Sequence, residues 1–390
     1  MEKSTGLDFD YAFAGGGCAA QSLLYRMADQ PDLCSARILW VEPDEKTGND
    51  RTWCFWEKGE GPFESVVCKS WAMAEVGKKE GRLNLSLGPY RYKMIRSADF
   101  YREVRKKETA FTRLVREKVP VKNIHNEGPD GTVVELNDGR NFRVGTVFDS
   151  RMPGLEKREG EFYLLQHFKG WFIRTHEPEF DPDRAVLMDF SVDQHKETRF
   201  VYVLPFSSTE ALVEFTVFSP RLLQHSEYDR ELEDYLRRCL KGAYTLTETE
   251  FGVIPMYSVR FPTRRPGIYY IGTAGGQTKA STGYTFTRIQ RHSDAIVREL
   301  TGKATGGIVS GPAFRHRYFD RVLLHVLARR RAAGDRIFFG LFRRNGAAAV
   351  FRFLDEDGTL WQDYRLINTV PILRFIVPGI VELWRMLKGR

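Results

Sequence analysis

Two carboxylates stand where the chain is otherwise apolar. Asp189 lies in Val186-Leu-Met-Asp-Phe190 and Glu214 in Leu212-Val-Glu-Phe-Thr216. Desolvation disfavours the charged form of a carboxyl among apolar neighbours, so its pKa rises and it can hold a proton at neutral pH. A general acid needs that property. The same spacing also suits an acid on the solvent face of an alternating strand, and the residues alone leave both readings open. A third acid, Glu250, opens Glu250-Phe-Gly-Val-Ile-Pro-Met256.

A different chemistry is written in the glycines. The run Phe9-Asp-Tyr-Ala-Phe-Ala-Gly-Gly-Gly-Cys-Ala-Ala20 reads as a buried strand emptying into a glycine turn and a helix, with the pattern Gly15-x-Gly17-x-x-Ala20. In that context the pyrophosphate of a dinucleotide sits on the helix N-terminus, held by backbone N–H groups and the helix dipole. Glu42 ends the next strand, Ile38-Leu-Trp-Val41, where a carboxylate can bind ribose hydroxyls. A glycine turn between any strand and helix is the plainer alternative, and Glu42 in register argues against it. Near the other end of the chain, Ile268 to Phe286 repeats the device through Gly272, Gly275 and Gly276. Here a helix is expected to begin near Ser281, Gly283 and Tyr284. Two such sites so far apart in sequence suit a cofactor bridging distant segments, which is more typical of FAD enzymes than of simple NAD dehydrogenases. Arg51, in Asn49-Asp-Arg-Thr-Trp53, could reach the cofactor phosphates or ribose, and Trp53 and Trp56 could line a cavity; a well-packed loop explains them equally well.

The elements that must position these groups follow from periodicity. Residues 68–95 alternate like antiparallel strands, 97–118 read as a helix with Ser97 as N-cap, and 132–149 form a hairpin turning at Asp138-Gly139 before a strand that returns to the cofactor sheet. From 160 to 218 consecutive strands suggest a largely antiparallel sheet. Residues 227–240 form an amphipathic helix, Glu250 to Met256 a short strand closing on a proline turn, and the last ninety residues look helical. The sum is an α/β fold. A Rossmann-type FAD-binding domain is expected from 1–155 and 255–300, with a mainly antiparallel substrate domain inserted at 156–254. A helical region, 301–390, ends in a tail broken by Pro371 and Pro378 that sets Arg and Lys among apolar residues, as an interfacial membrane segment does. A helix packed on the core is the alternative for that tail.

Totals narrow the partners. The 390 residues carry a formal charge of +8, which suits an anionic partner such as a cofactor phosphate or an acidic membrane surface. With no compact basic tract interleaved with aromatics, nucleic acid fits least. Five cysteines without CxxC spacing suggest neither a zinc site nor a disulfide framework and suit a reducing cytoplasm. Neither a secretory signal nor an apolar run of membrane-spanning length is visible. The 28 Phe, 16 Tyr and 7 Trp are compatible with a large apolar ligand site.

Taken in order, Gly15-Gly-Gly17, Asn49 to Trp53, Gln166-His-Phe-Lys-Gly-Trp171, Val186 to Phe190, Tyr202-Val-Leu-Pro-Phe206, Leu212 to Thr216, Glu250 to Met256, Gly272 to Gly276, Ser281 to Tyr284 and Tyr318-Phe-Asp-Arg-Val-Leu-Leu324 resemble the flavin-dependent lycopene cyclases of bacteria and plants. The resemblance implies redox-neutral, acid-initiated closure of the linear ends of lycopene to β-ionone rings. It implies reduced FAD as cofactor, NADPH as reductant, and a cytoplasmic enzyme peripheral on the inner face of the membrane, in a position to associate with other carotenoid enzymes. By the family's motif Glu214 is the essential acid. The family usually carries a second acid at the next position, where this chain has Phe215, so Glu250 or Asp189 gains weight. A related FAD monooxygenase or prenyl reductase, or a non-catalytic carotenoid-binding flavoprotein, is the alternative.

Overall fold

The structure, a computed structural model, describes residues 6–152, 154, 158–303 and 313–388; Gly389 and Arg390 of the tail lie outside the described residues. The first sheet runs β17-β18-β11-β1-β2-β8, with β10 and β9 continuing antiparallel from β11. Its strands are β1 (Phe9–Ala14), β2 (Ile38–Val41), β8 (Leu114–Glu117), β9 (Val121–Asn126), β10 (Thr132–Leu136), β11 (Asn141–Asp149), β17 (Arg264–Arg265) and β18 (Ile268–Tyr270). The strands β18, β11, β1, β2 and β8 are mutually parallel. Parallel strands covered on both faces read as apolar runs, and the alternation of side chains along each strand decides which cover a residue meets. Phe13 and Trp40 pack under α1 (Cys18–Met27) and α5 (Phe286–Leu300), whereas Ala12, Ala14 and Val41 meet the β9–β10 meander. As expected, the strand after the Asp138-Gly139 hairpin returns to β1.

The expected helix over 97–118 is shorter. α3 (Ser97–Glu108) stops, after the short α2 (Pro31–Cys34) earlier in the chain, and residues 114–117 become β8. The open edge of β2 supplies hydrogen-bond partners that outweigh local helix preference there. Ser97 does not cap α3: its hydroxyl donates to Asp50 at 2.8 Å and accepts from the Arg51 N–H.

The second sheet runs β16-β12-β15-β14-β13-β5-β6, antiparallel throughout except for β13 beside β5. It consists of β5 (Met73–Lys78), β6 (Gly81–Ser86), β12 (Tyr163–Thr175), β13 (Arg184–Asp189), β14 (Thr198–Pro205), β15 (Glu210–Ser219) and β16 (Tyr244–Tyr257). Two of its strands therefore come from before residue 150, so 156–254 does not build it alone. The strand at Glu250–Met256 is part of a fourteen-residue edge strand rather than a short one ending at a proline turn. Pro255 is tolerated because an outer edge needs no N–H. One face of this sheet is covered by α4 (His225–Cys239); the other meets a large aromatic core. A small sheet of β3 (Thr52–Lys58), β7 (Tyr90–Arg96) and β4 (Val67–Trp71) joins the two.

The C-terminal region is helical, as its composition suggests: α6 (Phe314–Ala328), α7 (Gly334–Leu354, kinked at Gly346), α8 (Leu360–Ile367) and α9 (Ile372–Leu387). Pro371 precedes α9, but Pro378 lies inside it and does not break it. α9 packs on α6 along one side and leaves Leu373, Ile380, Trp384 and Leu387 more than half exposed. No helix among the described residues is long and apolar enough to cross a membrane.

Candidate active site

The two glycine passages, far apart in sequence, meet in space. Gly272 (φ +63°) starts the 3-10 turn Gly272–Gly275, and a Cβ there would stand 3.0 Å from the Cβ of Ala19 in the first turn of α1. A side chain on Gly15 (φ +99°) would strike Ser150, and one on Gly275 would run into the Tyr270 carbonyl. Gly17 differs, because a Cβ there would face open space. It precedes α1 with no side-chain cap and no acid in the first turn, leaving that turn's N–H groups for a ligand. Ala20 is fully buried between sheet and helices. Glu42 lies beside this turn and accepts hydrogen bonds from the Gly16 and Asp44 N–H groups.

Gly17, Ala19, Gly272 and Gly283 border a cavity of about 480 Å³ together with Arg51, Trp53, Glu214 and Glu250. The side-chain oxygens of Gln166 and Thr282 on its wall are buried without a hydrogen-bond partner. Unpaired N–H groups at a helix start, glycines at the closest approach and orphaned acceptor and hydroxyl groups fit a polar, phosphate-bearing cofactor. Gly275 and Gly276 border a neighbouring cleft instead. Ser281 donates to Asp320 at 2.6 Å, while α5 starts only at Phe286.

The acids part company. Glu214 of β15 and Glu250 of β16 lie on either side of Gly170 in β12, each directly opposite it in register. A side chain on Gly170 would press on Leu212 and on the Glu250 side chain. Its absence leaves room for the two carboxyls to approach each other across the gap, close enough for each to bear on the other's proton. Burial raises both pKa values. Glu214 is pushed well up, first by desolvation and then by the Glu250 charge. Glu250 is pushed up to about 7 by desolvation, against the Thr52 hydroxyl that donates to it at 2.7 Å and the nearby Arg96 and Arg51 charges. The pair therefore holds a proton at neutral pH, with Glu214 the acid and Glu250 the partner more easily ionised.

Asp189 is also buried, but on the face covered by α4. Arg82 pairs with it at 2.9 Å, and the Tyr235 hydroxyl and the Ser191 N–H donate to it. It is satisfied as a carboxylate and does not reach the cavity. Phe215 points to that same face, packed with Tyr228 and Leu232. Residues adjacent on a strand face opposite ways, so an acid at position 215 would not share the cavity with Glu214.

Three tyrosines complete the site: the hydroxyls of Tyr92 and Tyr202 each lie 3.4 Å from that of Tyr284, all held protonated by desolvation. Tyr202, Thr282 and Tyr284 also border a second, largely apolar cavity of about 400 Å³, which runs past Trp56 and Phe351 to Ile376 and Ile380 of α9. They form the partition between acid pair and apolar cavity. Tyr92 and Tyr202 carried no sequence signal as site residues; their convergence depends on the packing of three separate strands and turns.

An acid buried in this way makes the fold sensitive to alkali. The folded-state pKa of Glu214 lies above the unfolded value of about 4.3, so the unfolded chain releases its proton first and stability falls as pH rises between the two. Glu214→Gln is expected to flatten that fall. Thermal melts between about pH 5 and pH 9 should show the variant gaining on the wild type toward the alkaline end; parallel curves would contradict the raised pKa.

A family model for lycopene cyclase proteins matches residues 10–377. The lycopene beta-cyclase of Pseudescherichia vulneris is 25% identical over 298 residues, 74% of this chain and 73% of the relative. That of Paracoccus sp. (strain N81106 / MBIC 01143) is 36% identical over 259 residues, 62% and 65% of the two chains. Among solved structures, a geranylgeranyl bacteriochlorophyll reductase-like protein from Thermoplasma acidophilum superposes with a TM-score of 0.59 at 13% identity, covering 97% of this chain and 98% of its own. A triple mutant of the flavin-dependent brominase Bmp2 gives 0.59 at 15% identity, covering 92% and 98%. At these identities the structural likeness shows a shared fold and nothing finer.

Proposed function

The chain belongs to the lycopene cyclase protein family, and from that premise we propose that it closes the linear ends of lycopene to β-ionone rings without net redox change, with reduced FAD bound and NADPH as reductant. The observation that carries this reading is the meeting of Glu214 and Glu250 over Gly170, protonated and beside a tyrosine-walled passage to an apolar cavity.

Glu214 gives its proton to the terminal double bond of the polyene, leaving a tertiary cation. The faces of Tyr92, Tyr202 and Tyr284 stabilise that charge by cation–π attraction. The next double bond attacks the cation and closes the ring, and loss of a ring proton to the acid pair restores its charge state, so atoms and electrons balance as an isomerisation. FAD, held by Gly15, Gly17, the first turn of α1, Glu42 and the Gly272 turn, would supply further stabilisation of positive charge. Arg51 lies on the same cavity wall and biases Glu250 toward its ionised form. The exposed apolar residues of α9, several of which also border the apolar cavity, suit a peripheral position on the inner face of the membrane from which a water-insoluble chain can be drawn in.

The test is lycopene in lipid vesicles with the purified protein, FAD and NADPH. Cyclic carotene forming with far less than stoichiometric NADPH oxidation is expected. Oxidation matching product mole for mole would replace the cyclase reading with a monooxygenase or reductase. Cofactor binding has its own check. Gly17→Val has room for its side chain, so the fold should survive within about 1 kcal/mol. The pyrophosphate space is filled, however, and purified variant should have lost the flavin absorbance. A variant with full flavin content would remove the α1 terminus from the cofactor site.

A further inference from the structure

On the other side of the Gly272–Lys279 loop from the acid cavity lies a separate cleft of about 380 Å³. Six cations border it, Arg158, Arg260, Lys279, Arg288, Arg317 and Arg321, against two carboxylates, Glu161 and Asp320. Those carboxylates are engaged: Glu161 by Arg321 at 2.7 Å and by Ser258, Asp320 by Lys279 at 3.1 Å and by Ser281. Lys279 and Arg288 share Glu356 from α7's end. Among the described residues Arg158, Arg260 and Arg317 have no ion-pair partner, and the Nε groups of Arg288 and Arg317 are buried without an acceptor. Burial and the charges of Arg260 and Arg321 make the protonated form of Arg317 less favourable than usual. Convergent, partly desolvated guanidiniums cost stability until an anion joins them.

Guanidinium forks match phosphate oxygens two at a time, and the cleft is within the size range of small-ligand sites. We propose that this cleft is a phosphate-binding site, taking the phosphoryl group of either a dinucleotide or a membrane lipid. Both sources are within reach: Gly275 and Gly276 form one wall, a single loop from the acid cavity, and Met386 forms another, at the end of the exposed apolar face of α9. The inference does not rest on the cyclase reading, because no residue of the acid pair borders the cleft, and a Glu214→Gln protein should keep the anion response.

The experiment uses the full chain as purified, flavin retained, with Arg317→Ala and Arg260→Ala. Without ligand, Arg317→Ala should melt no lower than wild type, since repulsion is relieved. Pyrophosphate should raise the wild-type melting temperature saturably, and either variant should need about tenfold more or higher. NADP+ acting more strongly than NAD+ would identify a dinucleotide phosphate. Flotation on vesicles that requires phosphatidylglycerol and fails in the variants would identify a lipid headgroup. If pyrophosphate, NADP+ and phosphatidylglycerol vesicles all act alike on wild type and variants, or if Arg317→Ala alone melts markedly lower, the arginines are structural and the proposal falls.

Discussion

Glu214→Gln in a lycopene-producing bacterial host is expected to leave lycopene unconverted, with ring formation reduced about 10²- to 10⁴-fold, the usual weight of a positioned general acid. Glutamine keeps the shape of a protonated glutamate and can still accept from the Thr216 hydroxyl, which donates to Glu214 at 2.8 Å. The fold therefore has no reason to fail, and flavin content should be unchanged. What is lost is the acid of the pair that desolvation and the Glu250 charge hold protonated, whereas Glu250 is drawn toward ionisation by the Thr52 hydroxyl and the Arg96 and Arg51 charges. Glu250→Gln removes the partner but not the proton, so its loss should be smaller. The wild-type rate should fall at alkaline pH as Glu214, the later of the two to ionise, loses its proton. The earlier ionisation of Glu250 at about 7 should not by itself abolish activity, since protonated Glu214 is the active form. Normal pigment conversion by Glu214→Gln would overturn the assignment.

Gly170→Val should be almost as damaging, with no ionisable group removed. The side chain it adds must displace Leu212 and Glu250, whose atoms stand 2.8 and 3.0 Å from an ideal Cβ. The carboxyls are then prised apart, and Glu214 loses the charge that helps to keep it protonated. A β-branched residue suits a strand in the middle of a sheet, so the protein is expected to fold with about 1–3 kcal/mol of overpacking strain while cyclic carotene falls about 100-fold. Phe215→Glu makes the contrast. It restores two adjacent acids in sequence but buries the new one against α4 without a partner, and about 3 kcal/mol or more of destabilisation with no gain in product is expected. Thermal melts and pigment chromatography on the same variants separate the two effects.

What could be read from the chain divides along local and non-local lines. The strand–glycine–helix start was legible because one turn of backbone determines it. Glu214 and Asp189 share a local signature, an acid among apolar strand residues, and nothing nearby distinguishes them. Arg82, from a hairpin a hundred residues earlier, makes one an ion pair; Gly170, in the strand between, makes the other half of an acid couple. Gly170 itself was unreadable, because its meaning is a matter of register across three strands. The overlong helix at 97–118 has a similar cause, an unpaired strand edge waiting elsewhere in the fold. The cationic cleft gathers residues from five separate segments and left no pattern in sequence beyond the overall positive charge.

The tyrosine partition has a consequence for how a long symmetrical molecule is processed. One acid pair lies behind one doorway, so a polyene can present only one terminus at a time. Under the proposed cyclisation, an end that has closed must back out, and the whole molecule must reverse before its other end can enter. If the proposed cyclisation acts on both ends, the two closures are separate visits to the acid pair. Early in a reaction the half-finished, one-ringed product should outnumber the two-ringed one, and the ratio should depend on how fast the molecule turns round rather than on how fast it reacts.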